Sequence, residues 1–136
     1  MKEDVTIYEV GPRDGLQNEK KLIATEDKIK LVDAITACGF TKVEVTSFVS
    51  PKWVPQMSDA SAVLEGIDRK EVITYAALTP NIKGFDRALS AQATEVAIFA
   101  AATQGFSQAN INCSIEESLA RFLPILKAAR EHGIPV

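Results

Sequence analysis

The sequence is poor in the residues that most often mark a site. It has one histidine, His132, and two cysteines, Cys38 and Cys113. The cysteines lie far apart and make no zinc-type pair, so both read as reduced, partly buried thiols. No apolar run approaches the ~18 residues that cross a bilayer. There is no G-x-G-x-x-G, and Pro12 stands where a phosphate cradle would use its N–H. The start, Met1-Lys2-Glu3-Asp4-Val5, is too acidic and too short for a targeting peptide. A net charge of −3 gives no footprint for nucleic acid or an anionic membrane. A cytoplasmic protein is the resulting expectation. With 136 residues, 46% hydrophobic and 24% charged, the chain has the size and composition of one globular domain.

The elements alternate. Val5–Val10 reads as a strand ending at the breaker Gly11-Pro12, and a turn-rich loop runs to about Ala24. Thr25 caps a helix that carries Ile29, Leu31, Val32 and Ile35 and stops at Gly39. Lys42–Ser47 is the second strand, with Val43 and Val45 on one side and Glu44 and Thr46 on the other. A proline-containing loop follows, then a short helix capped by Ser58 or Asp59 and ending near Gly66. Val72–Leu78 is the third strand. Thr79-Pro80 opens a helix to about Ala91. Glu95–Ala100 is the fourth strand, and Ala101–Cys113 is a long loop. Ser114-Ile115-Glu116-Glu117 fits a capping box. Its helix shows Ile115, Leu119, Phe122, Leu126 and Ala129 on one face, should kink at Pro124 or have its true start shifted by it, and ends at Gly133. Ile134-Pro135-Val136 begins a fifth strand. Strict β-α alternation implies a parallel sheet. It closes either as a doubly wound open sheet or as half of an eight-stranded barrel.

Four places carry candidate chemistry. Arg13-Asp14 follows the first strand, where an α/β barrel keeps its active site. Asp14 can offer one oxygen to a hard divalent cation, and Arg13 can stabilise an enolate or carboxylate oxygen. The plain alternative is an exposed turn with Arg13 in solvent. Glu44 is an acid inside a buried strand, costly unless paired. In a barrel it can face Arg13, either for catalysis or as a structural ion pair. The long loop Thr46–Met57 holds the single tryptophan, either as a binding loop or as a packed loop anchored by Trp53. Asn110-Ile111-Asn112-Cys113-Ser114 leads into a helix N-terminus that can hold an anion or be simply capped. His132 suits the end of its helix and reads as structural. One aspartate cannot by itself hold a metal that takes about six ligands.

Two runs, Glu9-Val10-Gly11-Pro12-Arg13-Asp14-Gly15-Leu16-Gln17-Asn18-Glu19 and Thr46 through Met57, together with Leu78-Thr79-Pro80-Asn81 and Asn110 through Ser118, resemble the 3-hydroxy-3-methylglutaryl-CoA lyases. The resemblance covers nearly all of the chain. It implies an α/β fold, the N-terminal half of a TIM (β/α)8 barrel with four βα units and parallel strands. Residues 1–136 would then be part of a pyruvate-carboxyltransferase-like barrel domain. The implied activity is metal-dependent retro-Claisen cleavage of 3-hydroxy-3-methylglutaryl-CoA to acetyl-CoA and acetoacetate, as in leucine degradation and ketone-body formation. By the same resemblance Asp14 binds Mg²⁺ or Mn²⁺, and Arg13 and Glu44 are catalytic. Arg13, Gln17, Asn110 and Ser114 contact substrate; on charge alone, Lys20 and Lys52 can partner the phosphates of coenzyme A. The partner is an acyl-CoA, and the whole protein is a homo-oligomer, a dimer. The family's His-x-His pair, its ligand asparagine and its glycine-loop cysteine have no counterpart here, and Thr103-Gln104 replaces Ser-Glu. These four units alone are therefore expected to be inactive and to self-associate. The alternatives are an acyl-CoA/oxo-acid synthase or aldolase of the same superfamily, or a non-catalytic half barrel.

Overall fold

The computed structural model describes residues 5–136; the acidic start at 1–4 lies outside them. Four strands, β1 (Tyr8–Glu9), β2 (Lys42–Ser47), β3 (Thr74–Leu78) and β4 (Glu95–Ala97), form one sheet in the order β1-β2-β3-β4. Every pairing is parallel. Each strand lies beside its predecessor without the reversal of order that marks a doubly wound sheet. The order is that of successive barrel units. The carbonyl of Pro135 accepts the N–H of Val96 at 3.0 Å, so the chain beyond Gly133 runs along the free side of β4. That is where the sequence expects a further strand.

The crossovers are α1 (Thr25–Ala37), α2 (Ala60–Gly66), α3 (Ile82–Ser90), α4 (Gln104–Ile111) and α5 (Ile115–His132). All but α4, which packs on α5, contribute to the apolar cluster that covers one face of the sheet. Val43, Val45, Tyr75, Ala77 and Val96 point into that side and pack with Val32, Val63, Leu64, Phe85 and Ile125 in one apolar cluster. Burying a side chain the size of Phe85 or Leu64 is worth about 2–3 kcal/mol. The alternate strand residues, Lys42, Glu44, Thr46 and Glu95, belong to the other face. There Lys42 pairs with Glu95 at 2.6 Å and lies over the ring of Tyr8. Gly84 lets α3 approach the end of β2, since a Cβ there would stand 2.9 Å from the carbonyl of Phe48.

Several sequence expectations shift. The first strand is only Tyr8–Glu9, because Val5–Ile7 are exposed and only Tyr8 and Glu9 pair with β2. Thr25 is the first residue of α1 rather than its cap, and its hydroxyl goes to Asp59. Asp59 in turn makes no side-chain cap on α2. Asn81, not Thr79, caps α3, accepting from the N–H of Gly84 at 2.9 Å. The third and fourth strands are two and three residues shorter than expected. The expected loop Ala101–Cys113 contains α4, capped by Thr103. In α5 the buried face is Ser118, Phe122, Ile125 and Ala129, while Leu119, Leu123 and Leu126 are exposed. The helix runs on through Pro124, and its capping box forms as expected. Cys38 is exposed and Cys113 buried, both unpaired.

Candidate active site

Arg13 and Asp14 do not sit in a loose turn. They lie in a single π-turn, Gly11–Gly15, directly after β1. Its wide ring is closed by the N–H of Leu16 on the carbonyl of Gly11, while the N–H of Asp14 meets the carbonyl of Val10 at 2.7 Å. Such turns recur at functional positions. Pro12 stands at the start, where a missing N–H costs nothing. Glu9 accepts the N–H of Gly11 at 2.7 Å, and a Cβ on Gly11 would stand 2.8 Å from that same carboxylate oxygen. A side chain at this position would therefore have to push the flexible Glu9 carboxylate off the Gly11 N–H.

The turn directs the guanidinium of Arg13 at Glu44. Arg13 Nε donates to Glu44 Oε1 at 3.0 Å and Nη2 to Oε2 at 3.3 Å. Nη1 donates to Asp14 Oδ1 at 2.8 Å. The side chain of Glu44 is 4% exposed, that of Arg13 18% and that of Asp14 58%. The exposed-turn alternative for Arg13 is thereby excluded. The β2–β3 register shifts between Glu44 and Thr46, so the ladder is irregular immediately past Glu44, a device that re-aims side chains beside sites. Tyr8 lies close by. Burial, then the negative charges of Glu44 and Glu95, push its phenol well above the ordinary range. Its hydroxyl is buried without a partner among the described residues, as are Ser47 Oγ and Gln17 Oε1.

A cavity of about 760 Å³ opens among the loops that follow the strands, lined by Gln17, Trp53, Asn81, Asn110, Arg121 and Phe122 among others. Gln17 and Asn110 thus line it together. Ser114 does not: its hydroxyl accepts from Glu117 N at 3.0 Å and its own N–H goes to the Glu117 carboxylate at 2.7 Å. Gln104 Oε1 takes the next donor, Ile115 N, at 3.0 Å. The N–H groups of Ser114, Ile115, Glu117 and Ser118 at this helix start already have partners, so capping accounts for most of what 110–114 offers an anion. Trp53 is 86% exposed at the cavity rim and anchors nothing. Its loop is anchored instead by the buried Gln56 and Met57. Lys20 and Lys52 are exposed. His132 lies beside Phe85 at the far end of α5, away from the cavity.

Sequence reasoning passed over Lys28 and Gln56, both buried, and took Asp59 for a cap. Nothing in their spacing separates them from surface residues. Among the described residues no group of three or more His, Cys, Asp or Glu is arranged to hold a metal ion. No helix described is long and apolar enough to cross a membrane.

Comparison with known proteins places these residues in context. A family model described as HMGL-like matches residues 4–136. A mitochondrial hydroxymethylglutaryl-CoA lyase from Bos taurus is 60% identical over 132 residues, covering 97% of this chain and 41% of its own length. A cytoplasmic 3-hydroxy-3-methylglutaryl-CoA lyase from Danio rerio is 57% identical over the same length, covering 97% and 39%. The crystal structure of the hydroxymethylglutaryl-CoA lyase from Pseudomonas aeruginosa superposes with a TM-score of 0.93 at 58% identity, covering 96% of this chain and 43% of that one. The chain spans about two fifths of the curated relatives it matches.

Proposed function

This chain belongs to the HMGL-like family, and from that premise we propose that the protein carrying it cleaves 3-hydroxy-3-methylglutaryl-CoA to acetyl-CoA and acetoacetate. The observation that carries the reading is Arg13, held by Glu44 and Asp14 at the mouth of a parallel sheet. A guanidinium has five N–H donors; three are taken here, leaving two without a partner among the described residues. Those two suit an oxygen that gains negative charge.

In the cleavage the tertiary hydroxyl loses its proton. The bond between the hydroxyl-bearing carbon and the thioester's α-carbon then breaks. Its electron pair becomes the enolate of acetyl-CoA, which takes up a proton. Arg13 stabilises that enolate, and Glu44 keeps the guanidinium aimed and immobile. A pre-set donor of this kind is typically worth about 3–4 kcal/mol. Gln17 and Asn110, on the cavity wall, contact substrate, and Ser114 contributes by closing the start of α5. Lys20 and Lys52 offer charge to the phosphates of coenzyme A.

Asp14 fits one corner of a divalent metal site. It is exposed, and only one of its oxygens is engaged by Arg13. Its hard oxygen donor suits Mg²⁺ or Mn²⁺, with the other ligands supplied from outside the described residues. Such an ion acidifies the hydroxyl it binds. We assign the whole protein to the cytoplasm, to acyl-CoA breakdown in leucine and ketone-body metabolism, and to a homodimer. Relatives named for either compartment occur, so cell fractionation tests the first point and sedimentation the last. The reaction is tested by supplying 3-hydroxy-3-methylglutaryl-CoA with Mg²⁺ and measuring acetoacetate and acetyl-CoA. Turnover of an oxo acid with acetyl-CoA, and none of the thioester, would replace the lyase with a synthase.

A further inference from the structure

Beside the cavity run two loops with little structure of their own, residues 18–24, after Gln17, and residues 48–54, which bear Trp53; the second of them also lines the cavity. A groove of about 350 Å³ lies between them, bounded by Gln17, Lys20, Trp53 and Gln56. Loops of this kind keep a shape only where something fixes their backbone. Here that is a buried polar knot. Gln56 is 4% exposed. Its carboxamide accepts from Ile23 N at 3.0 Å and donates to the carbonyls of Lys21 at 2.8 Å and Glu19 at 3.4 Å. Lys28, from the first turn of α1, is 5% exposed. Its ammonium donates to the carbonyl of Gln56 and to Asp59 Oδ1 at 2.7 Å. Asp59 Oδ2 accepts from Thr25 Oγ1 at 2.8 Å.

A lysine is almost never buried unless paired, and a buried pair adds little stability over apolar packing. What this pair does is geometric. Four of the six hydrogen bonds in the knot end on main-chain atoms, so they fix where the two loops run, not merely that they touch. We propose that Lys28, Gln56 and Asp59 are positioning residues for the binding cavity. They hold the loop after Gln17 and the Trp53 loop at a set separation, and so set affinity for the coenzyme A portion of the substrate. The ligand in this inference rests on the lyase reading; the clamp does not.

Trp53 is the only tryptophan among these 136 residues, and the difference from a Trp53→Phe control isolates the signal of this loop. The test compares wild type with Lys28→Met, Lys28→Arg, Asp59→Asn and the Lys28→Met/Asp59→Asn pair. It reads Trp53 anisotropy, amide hydrogen exchange and the Kd for coenzyme A. Lys28→Met and Asp59→Asn are expected to lower the anisotropy and to speed exchange at Ile23 and Met57 together. They should weaken coenzyme A about tenfold, a loss of one buried link. The β3 amides should keep their protection. The double variant should be no worse than the worse single one, as in a coupled network. Lys28→Arg should recover part of the affinity. Unchanged loops, or loosened loops with unchanged affinity, would overturn the inference. If the wild type does not bind coenzyme A, the substrate reading fails instead. The exchange data then decide the clamp alone: joint loosening sustains it and unchanged loops refute it. Should Lys28→Met not fold, the near-isosteric Asp59→Asn carries the same comparison.

Discussion

Arg13 and Glu44, thirty-one residues apart in the sequence, share two hydrogen bonds of 3.0 and 3.3 Å. The pair joins the end of β1 to the middle of β2 through a buried carboxylate. Glu44→Ala removes that carboxylate and leaves the guanidinium without its main partner. Breaking a buried pair from one side costs about 3–5 kcal/mol. Urea denaturation should show that loss as a lower midpoint with an unchanged slope. A loss below about 1 kcal/mol would mean that the pair behaves like a surface contact.

The entry to the π-turn sets Gly11 against the Glu9 carboxylate. Gly11→Ala places a methyl 2.8 Å from that carboxylate and displaces the acceptor of Gly11 N. The flexible Glu9 tip can move aside, so the expected loss is that of one hydrogen bond, about 1 kcal/mol. Glu9→Gln should be milder, because its amide oxygen can still accept that bond. Equal losses in the two variants would show that the close approach is not the cause.

Tyr8 and Ser47 bury hydroxyls that have no partner among the described residues. Removing an unsatisfied polar atom while keeping its frame costs little. Tyr8→Phe and Ser47→Ala should each change the unfolding free energy by less than about 1 kcal/mol. A larger loss, measured by thermal melts, would reveal a hydrogen-bonding partner such as a bound water.

Glu117 links the start of α5 to pH. The N–H of Ser114, then its hydroxyl, hold the Glu117 carboxyl below the usual carboxylate range. Its folded pKa is depressed, so its contribution is present above the unfolded value and fades as pH falls through the folded one. Melts recorded from about pH 6 down to about pH 3 should steepen on the acid side. Glu117→Gln keeps an acceptor for Ser114 N but cannot titrate, so its acid slope should be shallower. Identical slopes would remove Glu117 from the acid response.

How much of this was legible in the sequence depended on how local each signal was. Lys42–Ser47 was readable to the residue, because Val43, Val45 and Thr46 favour a strand and Gly39 ends the helix before it. The capping box at Ser114 was equally local. The α4 helix was hidden by polar composition, since it buries only Ser107 and so carries no apolar stripe. The face of α5 was misjudged because the buried Ser118 replaces the leucine that periodicity favours. At the site, the pairing of Glu44 with Arg13 followed from strand adjacency alone. The Lys28–Gln56–Asp59 knot did not, because burial of a lysine is set by elements brought together from distant sequence.

The most direct test of the central claim is acetoacetate release from 3-hydroxy-3-methylglutaryl-CoA, with Mg²⁺, by the native protein that contains these residues, wild type beside Arg13→Lys. Lysine keeps the charge but loses the fork that Glu44 and Asp14 hold. The account predicts acetoacetate and acetyl-CoA in equal amounts from wild type. It predicts a fall in kcat of at least about 100-fold in Arg13→Lys, with KM little changed. No cleavage by the wild-type protein, or equal turnover by the variant, would contradict it.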